Sequence, residues 1–156
     1  MLANRLEYSA ENCSIARTLE IVGEKWTLLV LREAFYGVRR FADFLTAIGC
    51  ARNILSDRLA TLVEHDVLER CSYREAGQRE RYEYRLTAKG LDLLPAVVAL
   101  MQWGDRYLAD GQRPPVHITH RGCDAPVRAE IVCATGHRDL TAQQTTVSPG
   151  PGAIAK

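Results

Sequence analysis

The sequence predicts a mostly helical α+β fold, and three observations carry that prediction. Apolar residues recur every three or four positions through residues 15–62, two alternating segments follow near the middle of the chain, and glycine stands at most changes of pattern. A length of 156 residues suits one compact domain with a small extension. With 47% hydrophobic and 25% charged residues, the composition is that of a folded globular chain and excludes disordered or collagen-like classes.

The elements follow in order. From Ser14, a plausible N-cap, Ile15, Leu19 and Val22 mark one face of a helix that ends near Gly23. Glu24 to Phe35 reads as a second helix, apolar around much of its circumference through Trp26, Leu28, Leu29, Val30, Leu31 and Ala34. Its expected place is central, with Gly37 ending it. Phe41, Phe44, Leu45 and Ile48 make a third amphipathic helix stopped by Gly49. A fourth runs from about Arg52 to His65 with Leu55, Leu59 and Leu62 inward, which leaves Asn53, Ser56, Asp57, Ala60 and Glu64 on the opposite face. Two short amphipathic helices around a glycine form a helix-turn-helix candidate, in which the second helix offers its N-terminal outward residues to the DNA major groove.

A hairpin is expected next, with strands at Val67–Tyr73 and Arg81–Leu86 and a polar turn Glu75-Ala76-Gly77-Gln78-Arg79-Glu80. Helix, turn, helix and then a basic-tipped hairpin is the order of a winged helix-turn-helix domain, whose wing lies along phosphates or enters the minor groove. A fifth helix opens after Thr87, carries Leu91, Leu94, Val97, Val98, Met101, Trp103 and Leu108, and should bend at Pro95. So much apolar surface on a terminal helix suggests a partner face. The break at Gly111-Gln112-Arg113-Pro114-Pro115 separates a domain at residues 10–110 from a C-terminal extension at 111–156. The extension is expected to contain short β-strands at Val116–His120 and Val127–Cys133 and a frayed tail at Ser148–Gly152.

Charge points the same way. The net charge is only +1, yet residues 70–89 hold six arginines or lysines against three glutamates. One basic segment in a neutral chain suits local contact with a polyanion, although a solvated charged hairpin would look alike. On the fourth helix, Arg52, Asn53 and Ser56 are candidate base or phosphate contacts, because arginine reads guanine and asparagine reads adenine by paired hydrogen bonds. Arg58 flanks the apolar stripe and could be a phosphate contact or a structural ion-pair partner. Arg39 and Arg40, before the third helix, are candidate phosphate clamps, and Arg79 and Arg81 are the best-placed wing residues.

The longest apolar run, Leu28–Leu31, falls far short of the roughly 20 residues a membrane helix requires, and no basic-then-apolar leader opens the sequence; a cytoplasmic protein is expected. Five cysteines, Cys13, Cys50, Cys71, Cys123 and Cys133, are odd in number and irregularly spaced. This argues against a secreted disulfide framework and for reduced thiols.

Several segments together resemble the HxlR-type transcriptional regulators, relatives of the MarR winged-helix regulators. They are Cys13-Ser14-Ile15-Ala16-Arg17, Gly23-Glu24-Lys25-Trp26-Thr27-Leu28-Leu29-Val30-Leu31-Arg32-Glu33, Arg39-Arg40-Phe41-Ala42-Asp43-Phe44, Leu55-Ser56-Asp57-Arg58-Leu59, Tyr82 through Gly90, and Trp103-Gly104. The resemblance spans roughly residues 10–110. It implies a homodimer built on the first and last helices, binding a near-palindromic operator in double-stranded DNA and responding to a small-molecule effector, often an electrophile or oxidant. It also makes Cys13, where helix dipoles can favour a thiolate, a candidate redox sensor, with a small buried residue at the dimer interface as the alternative reading. The sequence departs from the family pattern in three places: Ala51 replaces a capping serine, His65-Asp66-Val67-Leu68 lacks the glycine common at the helix end, and Ala76-Gly77-Gln78-Arg79 lacks the wing proline.

In the extension, His120-x2-Cys123 and Cys133-x3-His137 have spacings that could make a tetrahedral zinc site, with packed side chains or a ligand-pocket lining as the alternative reading. Two other function classes are open: a winged-helix protein-interaction module without specific DNA binding, and a thiol-dependent or zinc hydrolase. No nucleophile elbow, phosphate-binding glycine loop or HExxH motif supports an enzyme.

Overall fold

The computed structural model describes residues 5–77 and 79–156. The chain forms two compact units, one of residues 15–97 and one that combines the segment up to Ser14 with Val98–Lys156.

In residues 15–97 the elements run in the expected order: α1 (Ser14–Val22), α2 (Lys25–Phe35), α3 (Phe41–Ile48), α4 (Arg52–Glu64), β1 (Leu68–Tyr73), β2 (Arg81–Leu86) and the single-turn α5 (Ala88–Leu91). Their stops are physical. Gly37 and Gly49 take φ +92° and +71°, which ends α2 and α3 in left-handed turns that a side chain would disfavour. The end of α4 is made the same way without glycine: the amide of Asp66, at φ +57°, donates to the Val63 carbonyl while that of Val67 donates to the Leu62 carbonyl. Aspartate is among the few residues that tolerate this conformation.

One cluster forms the core, made of Val22, Val30, Leu31, Phe44, Leu55, Leu59, Leu62, Val67 and Leu68. The apolar α2 lies at its centre and packs against α3, α4 and β2. Glu24, read from sequence as the first residue of that helix, stands outside it as the N-cap, its carboxylate accepting from the amides of Trp26 and Thr27. The two strands pair antiparallel from Leu68 opposite Leu86 to Tyr73 opposite Arg81. The wing turn includes Gly77 at φ +76°; Gln78 lies outside the described residues.

Three expectations are corrected. The fifth helix is not one bent rod but α5 followed by α6 (Leu94–Tyr107), separated at Asp92 and Leu93. Pro95 falls in the first turn of α6, where a missing amide hydrogen costs no helix bond, so it starts a helix instead of bending one. In the second unit the segments at 116–120 and 127–133 are not continuous strands. They meet through the single bridge of Thr119 to Pro126 and the bonds His120 N to Ala125 O and Val127 N to Ile118 O. Asp124 at φ +54° makes the turn tight and Pro126 offers no donor, so pairing stops after about one residue. Nor is the tail frayed: Tyr8 bridges Ala155, Ser9 donates to the Ile154 carbonyl, Lys156 to that of Glu7, and the Asn12 amide reaches the Gly152 carbonyl at 2.5 Å.

Candidate nucleic-acid interface

The helix-turn-helix is α3 and α4 joined by Gly49, Cys50 and Ala51. Leu55, Leu59 and Leu62 are buried, and this registration leaves Asn53, Ser56, Asp57, Ala60 and Glu64 exposed, the division that the helical period predicted, while Arg52 is exposed at the first position of the helix. Ala51 holds the N-cap backbone position of α4 but supplies no side-chain bond, as its identity implied. The Arg52 guanidinium lies 5.2 Å from the centre of the Phe41 ring, which ties the first residue of α4 to the first of α3.

The other candidate arginines divide by environment. Arg39 is exposed while its carbonyl accepts from the Tyr84 amide at 2.8 Å. Arg40 is turned to the wing: Nη2 donates to Glu75 Oε1 at 2.7 Å and the guanidinium stands 4.7 Å over the Tyr73 ring, and the Glu75 hydrogen bond raises the Arg40 pKa. Arg79 and Arg81 are exposed and form no ion pair among the described residues. Arg58 is half-buried, with Nη1 4.0 Å from the Glu24 carboxylate that caps α2, so it faces the scaffold. Sequence reasoning missed Glu24, Tyr73 and Glu75 as the partners of these cations; a glutamate directly before an apolar helical run was the available signal for the first, and nothing local marked the other two.

Along the wing, Arg70 stacks over Tyr82 at 3.6 Å, and Arg85 pairs with Glu83, whose hydrogen bond raises the Arg85 pKa. Among the described residues the exposed cations of the turn and its edge without an ion pair are therefore Arg74, Arg79 and Arg81, while Arg70 and Arg85 along the strands are engaged locally.

Cys13 is half-buried immediately before α1. The extension's Cys/His set is resolved as two pairs. His120 Nδ1 lies 3.3 Å from Cys123 Sγ, and Cys133 Sγ lies 3.2 Å from His137 Nδ1 and 3.0 Å from Thr135 Oγ1. Hydrogen bonds from Thr135 and then His137 lower the Cys133 pKa to about 6. Among the described residues no three histidine, cysteine, aspartate or glutamate side chains converge as a metal site, so the four do not form one donor set in this structure. No helix of the described residues is long and apolar enough to cross a membrane.

Known proteins agree with this geometry. The family model described as HxlR-like helix-turn-helix matches residues 21–112. The chain is 44% identical over 156 residues to the HTH-type transcriptional regulator Rv3095 of Mycobacterium tuberculosis, covering all of this chain and 98% of that protein. The crystal structure of PA1607, described as a putative transcription factor, superposes with a TM-score of 0.77 at 38% identity, covering 90% of this chain and 96% of that one. The redox regulator HypR in its oxidized form superposes with a TM-score of 0.55 at 26% identity over 60% of this chain and 96% of its own. A helix-turn-helix with a basic wing, and a family match over more than half of its length, place the chain in the HxlR-like family of helix-turn-helix transcriptional regulators.

Proposed function

We propose that the protein is a dimeric, sequence-specific DNA-binding regulator acting in the cytoplasm, with α4 reading base edges and the wing tip touching the flanking backbone. One observation carries this: Arg52, Asn53 and Ser56 share an exposed face at the start of α4, whose buried face is anchored in the core. Arg39, Arg79 and Arg81 supply phosphate contacts. Arg40 and Arg58 are engaged with Glu75 and Glu24 and are left out of that contact set.

The dimer reading is supported by apolar side chains that each unit leaves in solvent: Ile15 and Leu19 on α1, and Leu100, Trp103 and Tyr107 on α6 with Leu108 just beyond it. Two copies would present two α4 helices to successive major grooves of a near-palindromic operator. For the signal, Cys13 remains the proposed redox or electrophile site; the similarity to HypR, a redox regulator by its description, supports that reading.

The test is binding of the purified protein to a labelled duplex from its own upstream region, at fixed salt, before and after treatment with a thiol oxidant. Specific binding that Asn53→Ala weakens by about 1–3 kcal/mol is the expected result. Loss of binding on oxidation that Cys13→Ser prevents would support the sensing role. A protein that prefers no sequence in a genome-wide selection would support the interaction-module reading.

A further inference from the structure

The side chain of Arg40 points to a role different from that of a phosphate contact. Residues 39 and 40 already lie along the outer edge of β2, through the Arg40 to Glu83 bridge and the Tyr84 amide donating to the Arg39 carbonyl. The Arg40 carbonyl also accepts from the amides of Asp43 and Phe44, so the same residue begins α3. From that anchored backbone the guanidinium reaches to the other strand, onto the Tyr73 ring at the end of β1 and the Glu75 carboxylate beyond it. Tyr73 pairs with Arg81 in the strand register, so the contact lies where the wing leaves the sheet.

We propose that Arg40 is a positioning residue for the wing: clasped between Glu75 and the Tyr73 ring, it fixes the tip that carries Arg79 and Arg81 relative to the helix-turn-helix. The inference rests on the DNA-binding reading for its consequence but not for its geometry. A single exposed ion pair is a weak restraint, because ordering two long side chains offsets most of the attraction. Here the backbone of one partner is held by α3 and β2, and the ring limits the guanidinium on a second side, so less freedom remains to be lost. The tip has no core beneath it: Arg74, Ala76, Gly77, Arg79 and Glu80 are all exposed. Among the described residues, the clasp is the side-chain contact that joins the tip to the residue that begins α3.

Glu75 separates this reading from phosphate contact, since the two predict opposite signs. If Arg40 were a phosphate clamp, Glu75 would be a competitor, and Glu75→Gln would tighten DNA binding. If Arg40 positions the wing, Glu75→Gln and Arg40→Gln weaken binding alike, about three- to ten-fold on the protein's own upstream duplex at fixed salt, and neither has a further effect once Arg74, Arg79 and Arg81 are all changed to glutamine. Tighter binding by Glu75→Gln, or an Arg40→Gln loss that persists in the wing-neutral background, would overturn the proposal. Amide hydrogen exchange of the free protein decides the geometry independently of any DNA. Faster exchange at residues 74–81 in both single variants is expected, and unchanged exchange would overturn the clasp. A wild-type protein that binds no duplex would sink the DNA-binding reading, leaving the exchange result to decide the clasp.

Discussion

Residues 15–97 are held by burial: nine hydrophobic side chains from α1, α2, α3, α4, β1 and the turn before it form one cluster, and all but Val22 are 2% exposed or less. The unit formed by Val98–Lys156 with the segment up to Ser14 has Val98 as its one buried hydrophobic among the described residues. Its order comes from backbone and polar bonds. Gln102 accepts from the Ala129 amide and donates to the Val127 carbonyl, Glu130 pairs with both Arg128 and Arg138, and Asp139 pairs with Arg128. Because such bonds replace bonds to water, each contributes far less than a buried side chain. The fold of the first unit should therefore be globally cooperative and that of the second open to local loss.

The largest effect that tests this contrast is cavity formation. Leu59, 1% exposed on the inward face of α4, should cost about 2–5 kcal/mol when changed to alanine, whereas Ile131, 59% exposed in the second unit, should cost about 0.5 kcal/mol or less. Urea unfolding followed by circular dichroism measures both. Equal midpoints for the two variants would break the comparison.

Close backbone approach is the next device. A Cβ on Gly90 would lie 2.1 Å from the Val67 carbonyl oxygen, in the place where Thr87 Oγ1 also donates to the carbonyls of Asp66 and Val67. Gly90→Ala must separate α5 from the start of the wing and should cost about 1–3 kcal/mol. A melting temperature unchanged by the substitution would show that the turn shifts without strain.

The second unit differs in chemistry as well as packing. The Cys133 thiol, lowered to about pKa 6 by Thr135 and His137, is mostly thiolate at pH 7, and its thiolate fraction falls only as pH drops through about 6. Maleimide labelling read by peptide mass spectrometry should therefore show Cys133 modified about ten-fold faster than Cys50 or Cys71 at pH 6.5, with the rate falling below pH 6. His137→Ala should move that fall toward higher pH. Labelling of Cys133 that rises steadily through pH 8.5 would contradict the assignment.

The same contrast explains what the sequence disclosed. Helix periodicity placed α1 to α4 within a residue or so, because a stripe such as Leu55, Leu59 and Leu62 encodes which face meets a core, and it thereby exposed Asn53 and Ser56. Where no core dictates the pattern, alternation misled: Val127, Ala129, Ile131 and Cys133 alternate, yet that segment is fixed by Gln102 and by turns. The tail Ser148–Gly152 has the composition of a loose end, yet its last residue, and Ile154, Ala155 and Lys156 beyond it, bond to residues 7–12, more than 130 positions away in sequence. Arg40 was legible as a cation near the interface but not as a partner of Glu75, since only the pairing of β1 with β2 brings the two together.

The smallest expected effect tests whether local turn chemistry in the cored unit is already optimal. Asp66 and Gly37 occupy equivalent places after α4 and α2: in each turn the amide of the left-handed residue donates to one carbonyl and that of its successor to another, Gly37 to Ala34 and Val38 to Glu33, Asp66 to Val63 and Val67 to Leu62. A side chain in that conformation meets its own carbonyl, at about 1 kcal/mol, and glycine removes the cost while adding entropy to the unfolded chain. Asp66→Gly should thus raise stability by up to about 1 kcal/mol, and Gly37→Asp should lower it by a similar amount, both read as shifts in urea midpoint at constant slope. Val67 following Asp66 is buried against Leu62 in the same cluster, so the turn stays anchored in either variant. A destabilised Asp66→Gly would show that the aspartate side chain itself supports the turn, and that the departure from glycine here is a substitution with its own bond instead of a tolerated strain.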